Sequence, residues 1–345
     1  MSSGSEPGRV GESGGGMLGV VMDGVPAGIA FAAADFESDL ARRRSSGAPG
    51  TTPRRESDTP EIVSGVYNGH TTGAPLTVLF RNENTRSGDY AKFANHPRPS
   101  HADFVAAQKF HGFNDPRGGG HFSGRVTLGL VAAGVVAKKI LNAGCAEGGN
   151  AGAVAPVCVS SKIVEIGGSR DGAQFENIIA AAMRDGDSVG GVIECRASGV
   201  PVGLGEPFFD SVESVAAHLM FSIPGVKGVE FGSGFAGARL RGSENNDPLV
   251  DARGTGTGLC ITTASNNSGG IDGGITNGGE VVVRVAVKPT ASIAREQQTW
   301  NFETGRVETL EIGGRHDACI ALRAAVVAEA CLAIALAESD RRQRI

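Results

Sequence analysis

The sequence predicts an α+β fold: a single large domain in which core helices are sandwiched between antiparallel β-sheets. Short strand-like runs recur along the chain, and several alternate apolar with polar residues as half-buried antiparallel strands do. Two longer stretches, 127–141 and 318–338, are apolar on most faces, which suits helices enclosed in a core. The helical patterns do not alternate one-for-one with parallel-type strands, so a doubly wound sheet is not favoured.

Residues 1–10 contain no apolar stretch of the kind a secretory signal needs, and they read as a poorly ordered segment ahead of a domain over 11–340. Strands are expected at 18–22, 61–67, 76–81, 157–166, 191–197 and 280–287. A helix over 35–44 carries a basic end, and one over 101–110 follows a proline-rich entry. The others expected are 127–141, 175–185 ending at Gly186, and 212–221 ahead of Pro224. The 318–338 run is about as long as a membrane span. Arg323 and Glu329 interrupt it and alanine dominates, so it reads as a buried core helix and no membrane partner is expected.

Of 345 residues, 40% are apolar and 20% charged, enough to sustain a core. A net charge of −5 argues against a nucleic-acid or anionic-membrane surface. Glycine, at 53 residues without a collagen period, implies many tight turns and close backbone approaches. The 6 cysteines are scattered with no C-x-x-C pair, so neither a metal site nor thiol exchange is expected, and the chain reads as reduced and cytoplasmic.

Two segments carry the densest chemistry, Arg98-Pro-Ser-His-Ala-Asp103 and Arg117-Gly-Gly-Gly-His-Phe-Ser-Gly-Arg125. Gly118, Gly119 and Gly120 let backbone amides approach an anion with no Cβ in the way. Arg117 and Arg125 grip phosphate or carboxylate oxygens in a fork. A lone histidine is more often structural, but Arg98 and Asp103 beside His101 point to acid–base work. Arg42, Arg43, Arg44, Arg54 and Arg55 flank a loop and read either as a solvated run or as an electropositive mouth over an anionic ligand. The stretch 266–279 is too glycine-rich for a regular element and suits wrapping a planar or phosphorylated ligand. Lys288-Pro-Thr-Ala-Ser292 ends a strand with a cation and two hydroxyls, suited to phosphate. Asp317 precedes the C-terminal helix, where an N-cap and a reactive carboxylate are equally well placed. Gly254-Thr-Gly-Thr-Gly258 lacks the spacing of a dinucleotide fingerprint, and no Walker A sequence is present. The set describes a site for a multiply anionic small molecule.

In this order the segments resemble the chorismate synthase family, from about Gly11 to Leu336. Residues 11–28, 118–141 and 314–336 look like its three signatures, with Thr72-Gly-Ala-Pro, Ser198-Gly-Val-Pro and Val226-Lys-Gly-Val-Glu-Phe between them in family order. The resemblance implies a homotetramer of helices between antiparallel sheets. It implies a 1,4-anti elimination of phosphate from 5-enolpyruvylshikimate 3-phosphate, giving chorismate, that requires reduced FMN without net redox change. It also implies an external NAD(P)H-dependent flavin reductase, because the long extra segments of bifunctional relatives are not found.

Carried over by matching position, His101 would stabilise or protonate the reduced flavin. Asp317 would assist proton removal near flavin N5, with Ser13 and Ser123 in a hydrogen-bond relay. Arg43, Arg125 and Arg315 would hold substrate or flavin anions. His121, Phe122, Ser123, Pro224, Gly225, Gly273, Lys288, Pro289, Thr290, Ala291, Ser292 and Arg315 would line the FMN site. Many relatives carry arginine where His121 stands. One departure matters: the family's first signature reads Gly-Glu-Ser-His-Gly, and Gly14 stands where its histidine, a proton donor to the departing phosphate, belongs. General acid help is worth roughly 10²–10⁴ in rate. The departure therefore sets an impaired homologue that binds FMN or substrate beside the working enzyme, with His121 or water as substitute donor. A flavin oxidoreductase consuming NADPH on its own account is the third reading.

Overall fold

The computed structural model describes residues 7–44, 50–51, 57–82, 92–143, 156–255, 258–313 and 316–343. A first antiparallel sheet has the strand order Gly8–Gly11, Met17–Met22, Leu76–Arg81, Glu61–Ser64. Its alternation puts Leu18, Val20 and Met22 beside Leu76, Val78 and Phe80 on the buried face. The expectation of a poorly ordered segment through residue 10 gives way at its end, where Gly8–Gly11 pairs with the following strand as the sheet edge.

A second antiparallel sheet runs Cys158–Ile166, Gly191–Ser198, Val281–Val287, Val226–Phe231. The last of these is not among the expected strands, because Lys227 and Gly228 interrupt its alternation. The glycine-rich 266–279 stretch is more regular than expected: Ile271–Asp272 and Ile275–Thr276 form a short hairpin.

The helices are α1 (Glu37–Arg43), α2 (Asp103–Lys109), α3 (Leu128–Leu141), α4 (Phe175–Arg184), α5 (Val212–Phe221), the single turn α6 (Gly242–Asn245) and α7 (Ala321–Gln343). The layers follow from who touches whom. The first sheet packs on α3, α3 on α7, and α7 on the second sheet, with α1 beside both helices and α5 beside α7. At the α3–α7 crossing the backbones nearly meet, and a Cβ on Gly134 would lie 2.6 Å from Ala330 Cα. The two helices run in the same direction. Thr127 and Arg323, at their starts, line one cavity, while Ile140 and Ala337, further along, share a groove at the other end. Among the described residues no helix is long and apolar enough to cross a membrane.

One polar knot interrupts this core. Glu329 of α7, 2% exposed, accepts from both Arg42 amino groups at 2.7 Å, from Lys138 Nζ at 2.7 Å and from Ser161 Oγ at 2.8 Å. Lys138 also reaches Asp39 at 2.6 Å, so the cluster is electrically balanced. Burial pushes the Glu329 carboxyl up, but Arg42 and Lys138 hold it below the usual carboxylate range. Arg42 is thereby removed from the expected electropositive mouth. Arg44 pairs with Glu37, and Arg54 and Arg55 lie outside the described residues.

Candidate active site

A cavity of about 820 Å³ opens where α3 and α7 begin, walled by the 98–102 loop, the 117–125 turn, residues 221–227 and the 288–292 segment. That is near the top of the roughly 300–1,000 Å³ range of small-molecule sites.

His101 enters with its partners set. Its Nδ1 lies 2.7 Å from Asp103 Oδ1 and 3.1 Å from Arg98 Nη2; an ionised carboxylate only accepts, so the shorter contact assigns the proton to Nδ1 and leaves Nε2 for the cavity. Asp103 is held in turn by Arg98, whose backbone N, Nε and Nη2 donate to it at 3.1, 2.8 and 2.7 Å. Burial raises the Asp103 carboxyl, yet the hydrogen bonds from Arg98 and His101 win and hold it well below the usual range. Arg98 is itself buried, with its guanidinium 4.5 Å over the Phe93 ring and Nη1 donating to Ser292 Oγ at 3.0 Å. Ser292 therefore supports the histidine from behind.

At the opposite end stand guanidiniums. Arg43, 2% exposed, donates to the carbonyls of Gly124 at 2.8 Å and Arg125 at 3.2 Å. Its Nη1 is buried without a hydrogen-bond partner, 3.7 Å from Asp58 Oδ2. Burial, then the charges of Arg323 and Arg125, push the Arg43 pKa down, against Asp58 and Asp317. Arg125 binds Asp58 through Nη1 and donates from Nε to Asn82 Oδ1 at 3.1 Å. Asn82 Nδ2 donates to the Gly15 carbonyl at 2.9 Å, tying the arginines to the first glycine turn. Asp58 holds a left-handed φ of 48°, a strained backbone for a non-glycine residue.

The glycines of 117–122 form a 3₁₀ turn, and φ values of 85° at Gly119 and 53° at Gly120 fold it over the His101 ring. Ser13 N donates to the Gly120 carbonyl at 3.2 Å, so the first signature docks on the second. Ser123 Oγ accepts from Arg125 N at 3.2 Å and caps the next turn, which commits a lone pair of the expected relay. His121 Nδ1 lies 3.3 Å from Glu12 Oε1, and its ring meets Phe110 edge-on at 5.2 Å.

Beside α7 stands Asp317, four residues ahead of the first helical residue, Ala321. Its Oδ2 accepts from Arg323 Nη1 at 3.1 Å, and its carbonyl accepts from Thr290 Oγ1 at 2.7 Å. Lys288 donates to the Ser100 carbonyl at 2.7 Å, and burial, then Lys227, lowers its pKa. Pro224, Gly225, Phe122, Pro289 and Ala291 complete the wall.

Gly273 stands apart. It is the turn of the 271–276 hairpin, outside the cavity lining, in a segment whose Gly274 carbonyl accepts from Val212 N at 3.0 Å. Arg315 lies outside the described residues. Asp58, Asn82, Arg323 and Lys227 line the cavity without being named as site residues from the sequence, and only the ion-pair partners of the arginines could have pointed to Asp58.

The chorismate synthase family model matches residues 8–339. The chain is 55% identical over 328 residues to a chorismate synthase of Chitinophaga pinensis, covering 95% of this chain and 92% of the relative. It is 46% identical over 348 residues to one of Dehalococcoides mccartyi, covering 97% and 94%. A crystal structure of chorismate synthase superposes with a TM-score of 0.72 at 27% identity, covering 98% of this chain and 92% of that one. With its helices between antiparallel sheets and its three signatures gathered around one cavity, the chain belongs to the chorismate synthase family.

Proposed function

We propose that the cavity takes 5-enolpyruvylshikimate 3-phosphate together with reduced FMN and expels phosphate to give chorismate. The guanidinium cluster of Arg43, Arg125 and Arg323 carries this reading, because it sets three cations against the carboxylates of Asp58 and Asp317 around a site for an anion. The residues present also fit a flavin. Arg43 Nη1 is an unmatched buried donor, Lys227 and Lys288 offer a second cationic end, and Ile223, Ile320, Val327 and Phe122 provide apolar wall for a ring. Reduced FMN held by these residues would supply electron density for cleavage of the C–O bond.

The chain's own residues do the remainder. His101, with Nδ1 held by Asp103, presents Nε2 to the cavity as a proton-holding group for the flavin. Asp317 receives the ring proton, oriented by Arg323, with Ser13 and Ser123 hydrogen-bonding nearby. Arg43 and Arg125 fix the substrate anions, joined by Arg315 through the family pattern. Ser292 acts through Arg98, and Lys288–Ser292 with Pro224 and Gly225 borders the cofactor. The working enzyme is preferred to the impaired homologue because these groups assemble around one cavity with Gly14 in its wall.

We further place the enzyme in the cytoplasm, supplied with FMN by an external NAD(P)H-dependent reductase. A homotetramer would cover large side chains left outside the core, such as Phe208 at 86%, Phe209 at 92% and Phe235 at 75% exposure. A role for Gly273 at the flavin then requires a neighbouring subunit to bring it to the cavity. The test is anaerobic incubation of the substrate with dithionite-reduced FMN. Phosphate and chorismate are expected in equal amounts, and none with oxidised FMN. Flavin-dependent NADPH consumption without phosphate release would replace this reading with the oxidoreductase.

A further inference from the structure

Gly14 lies in the cavity wall, and its surroundings are closed to a side chain. A Cβ there would stand 2.6 Å from Arg117 Cβ, 3.0 Å from the Arg117 carbonyl oxygen and 3.1 Å from Asp115 Oδ2. The Arg117–Asp115 pair that fills this space is bidentate, with Nε and Nη2 donating at 2.8 and 2.7 Å. On the same docked wall a histidine is already mounted: His121 lines the cavity, and its Nδ1 faces Glu12 at 3.3 Å. Phe110 and Phe122, with ring centroids 5.2 and 4.5 Å from the imidazole, restrict how it turns. A carboxylate behind one ring nitrogen, with the ring in a site that takes a phosphate ester, is the arrangement of an oriented proton donor.

We infer that His121, positioned by Glu12, protonates the phosphate as it leaves. The inference rests on the elimination assigned above. The substrate C–O bond breaks with its electron pair on the bridging oxygen, and the Nε2–H bond breaks as an O–H bond forms on the phosphate. The ring proton goes to Asp317. The neutral imidazole recovers its proton from water, to which the His121 side chain is 44% exposed. The charged groups facing it are Glu12, with Asp115 and Arg117 behind that carboxylate, and His101 across the Gly119 turn.

The test compares anaerobic phosphate release by the parent protein, His121→Ala, Glu12→Gln and Gly14→His with reduced FMN, using flavin absorbance as the control for an intact site. His121→Ala is expected to lose roughly 10²–10⁴ in kcat, to keep its substrate KM within about threefold, and to recover part of the rate with added imidazole. Glu12→Gln weakens the contact that orients the ring through Nδ1, so kcat falls while the substrate KM holds. Gly14→His gains nothing, because Arg117 occupies the space. Parental kcat in His121→Ala overturns the inference. So does a loss that imidazole does not rescue together with an unchanged kcat in Glu12→Gln, or a faster Gly14→His. A parent that binds FMN but releases no phosphate overturns the assigned reaction, and the inference with it.

Discussion

Replacing Asp103 with asparagine tests the histidine end of the cavity most directly. Oδ2 accepts from Arg98 N and Nε, and Oδ1 accepts from Arg98 Nη2 and His101 Nδ1. Whichever way the new amide turns, its NH₂ group displaces one oxygen and strands two donors. Hydrogen bonds to charged groups are worth about 1.5–3 kcal/mol each, so two lost bonds cost about 3–6 kcal/mol. Breaking a buried pair costs a similar 3–5 kcal/mol, which applies because the Arg98 and Asp103 side chains are 3% and 11% exposed. An unfolding entropy of about 0.7 kcal/mol/K for 345 residues converts 3–5 kcal/mol into a Tm drop of about 4–7 °C. The amide has one escape: it donates to Nδ1 and drives the His101 proton onto Nε2, the wrong tautomer for the cavity. That limits the stability loss and transfers the damage to turnover, where kcat should fall by roughly 10²–10⁴. Thermal unfolding, anaerobic phosphate release and ¹⁵N shifts of the imidazole measure the three effects. A variant with parental Tm, kcat and tautomer would refute the reasoning.

Glu329→Gln removes the buried carboxylate, but Arg42 is partly exposed and Lys138 keeps Asp39, so stability should fall by only about 1–3 kcal/mol, read by denaturant titration. Gly134→Val forces a branched side chain into the α3–α7 crossing, and overpacking of about 1–3 kcal/mol or more should appear as a lower Tm. Arg43→Lys keeps the charge but loses the planar guanidinium whose Nη2 donates to the Gly124 and Arg125 carbonyls, so substrate KM should rise about tenfold or more while kcat changes less. Asp103 and Glu329 have folded pKa values below their unfolded ones. Their contribution is therefore complete above the unfolded carboxylate range and is lost as pH falls below about 4 toward the folded values. Acid unfolding of Glu329→Gln should accordingly depend less on pH than that of the parent.

Periodicity carried most of the fold. Met17–Met22, Leu76–Arg81 and Val281–Val287 alternate or saturate with β-branched residues, and Leu128–Leu141 is apolar all round, so each declares its state locally. Val226–Phe231 does not, because Gly228 breaks its pattern and pairing with Val283–Val287 rescues it as a strand. Arg98, His101 and Asp103 lie close in sequence, and their mutual contacts follow from that. Arg42 and Arg43 are neighbours with opposite destinations, one to Glu329 in the core and the other to the cavity, and only the helix phase separates them. Asp58 and Asn82 matter through partners far along the chain, Arg125 and the Gly15 carbonyl, which no local pattern announces.

The shared direction of α3 and α7 couples anion binding to the cohesion of the helix pair. Side-by-side helices pointing the same way place two positive termini, each equivalent to roughly half an elementary charge, at one place. Buried guanidiniums stand beside those termini, so the unliganded protein carries a self-repulsion that its packing has to overcome. A polyanion entering the cavity relieves that repulsion. Ligand binding and cohesion of the helix pair thus become one linked equilibrium, and saturating anion should raise the melting temperature by the RT ln(1 + [L]/Kd) of simple linkage. Substrate is, in this sense, a missing piece of the core.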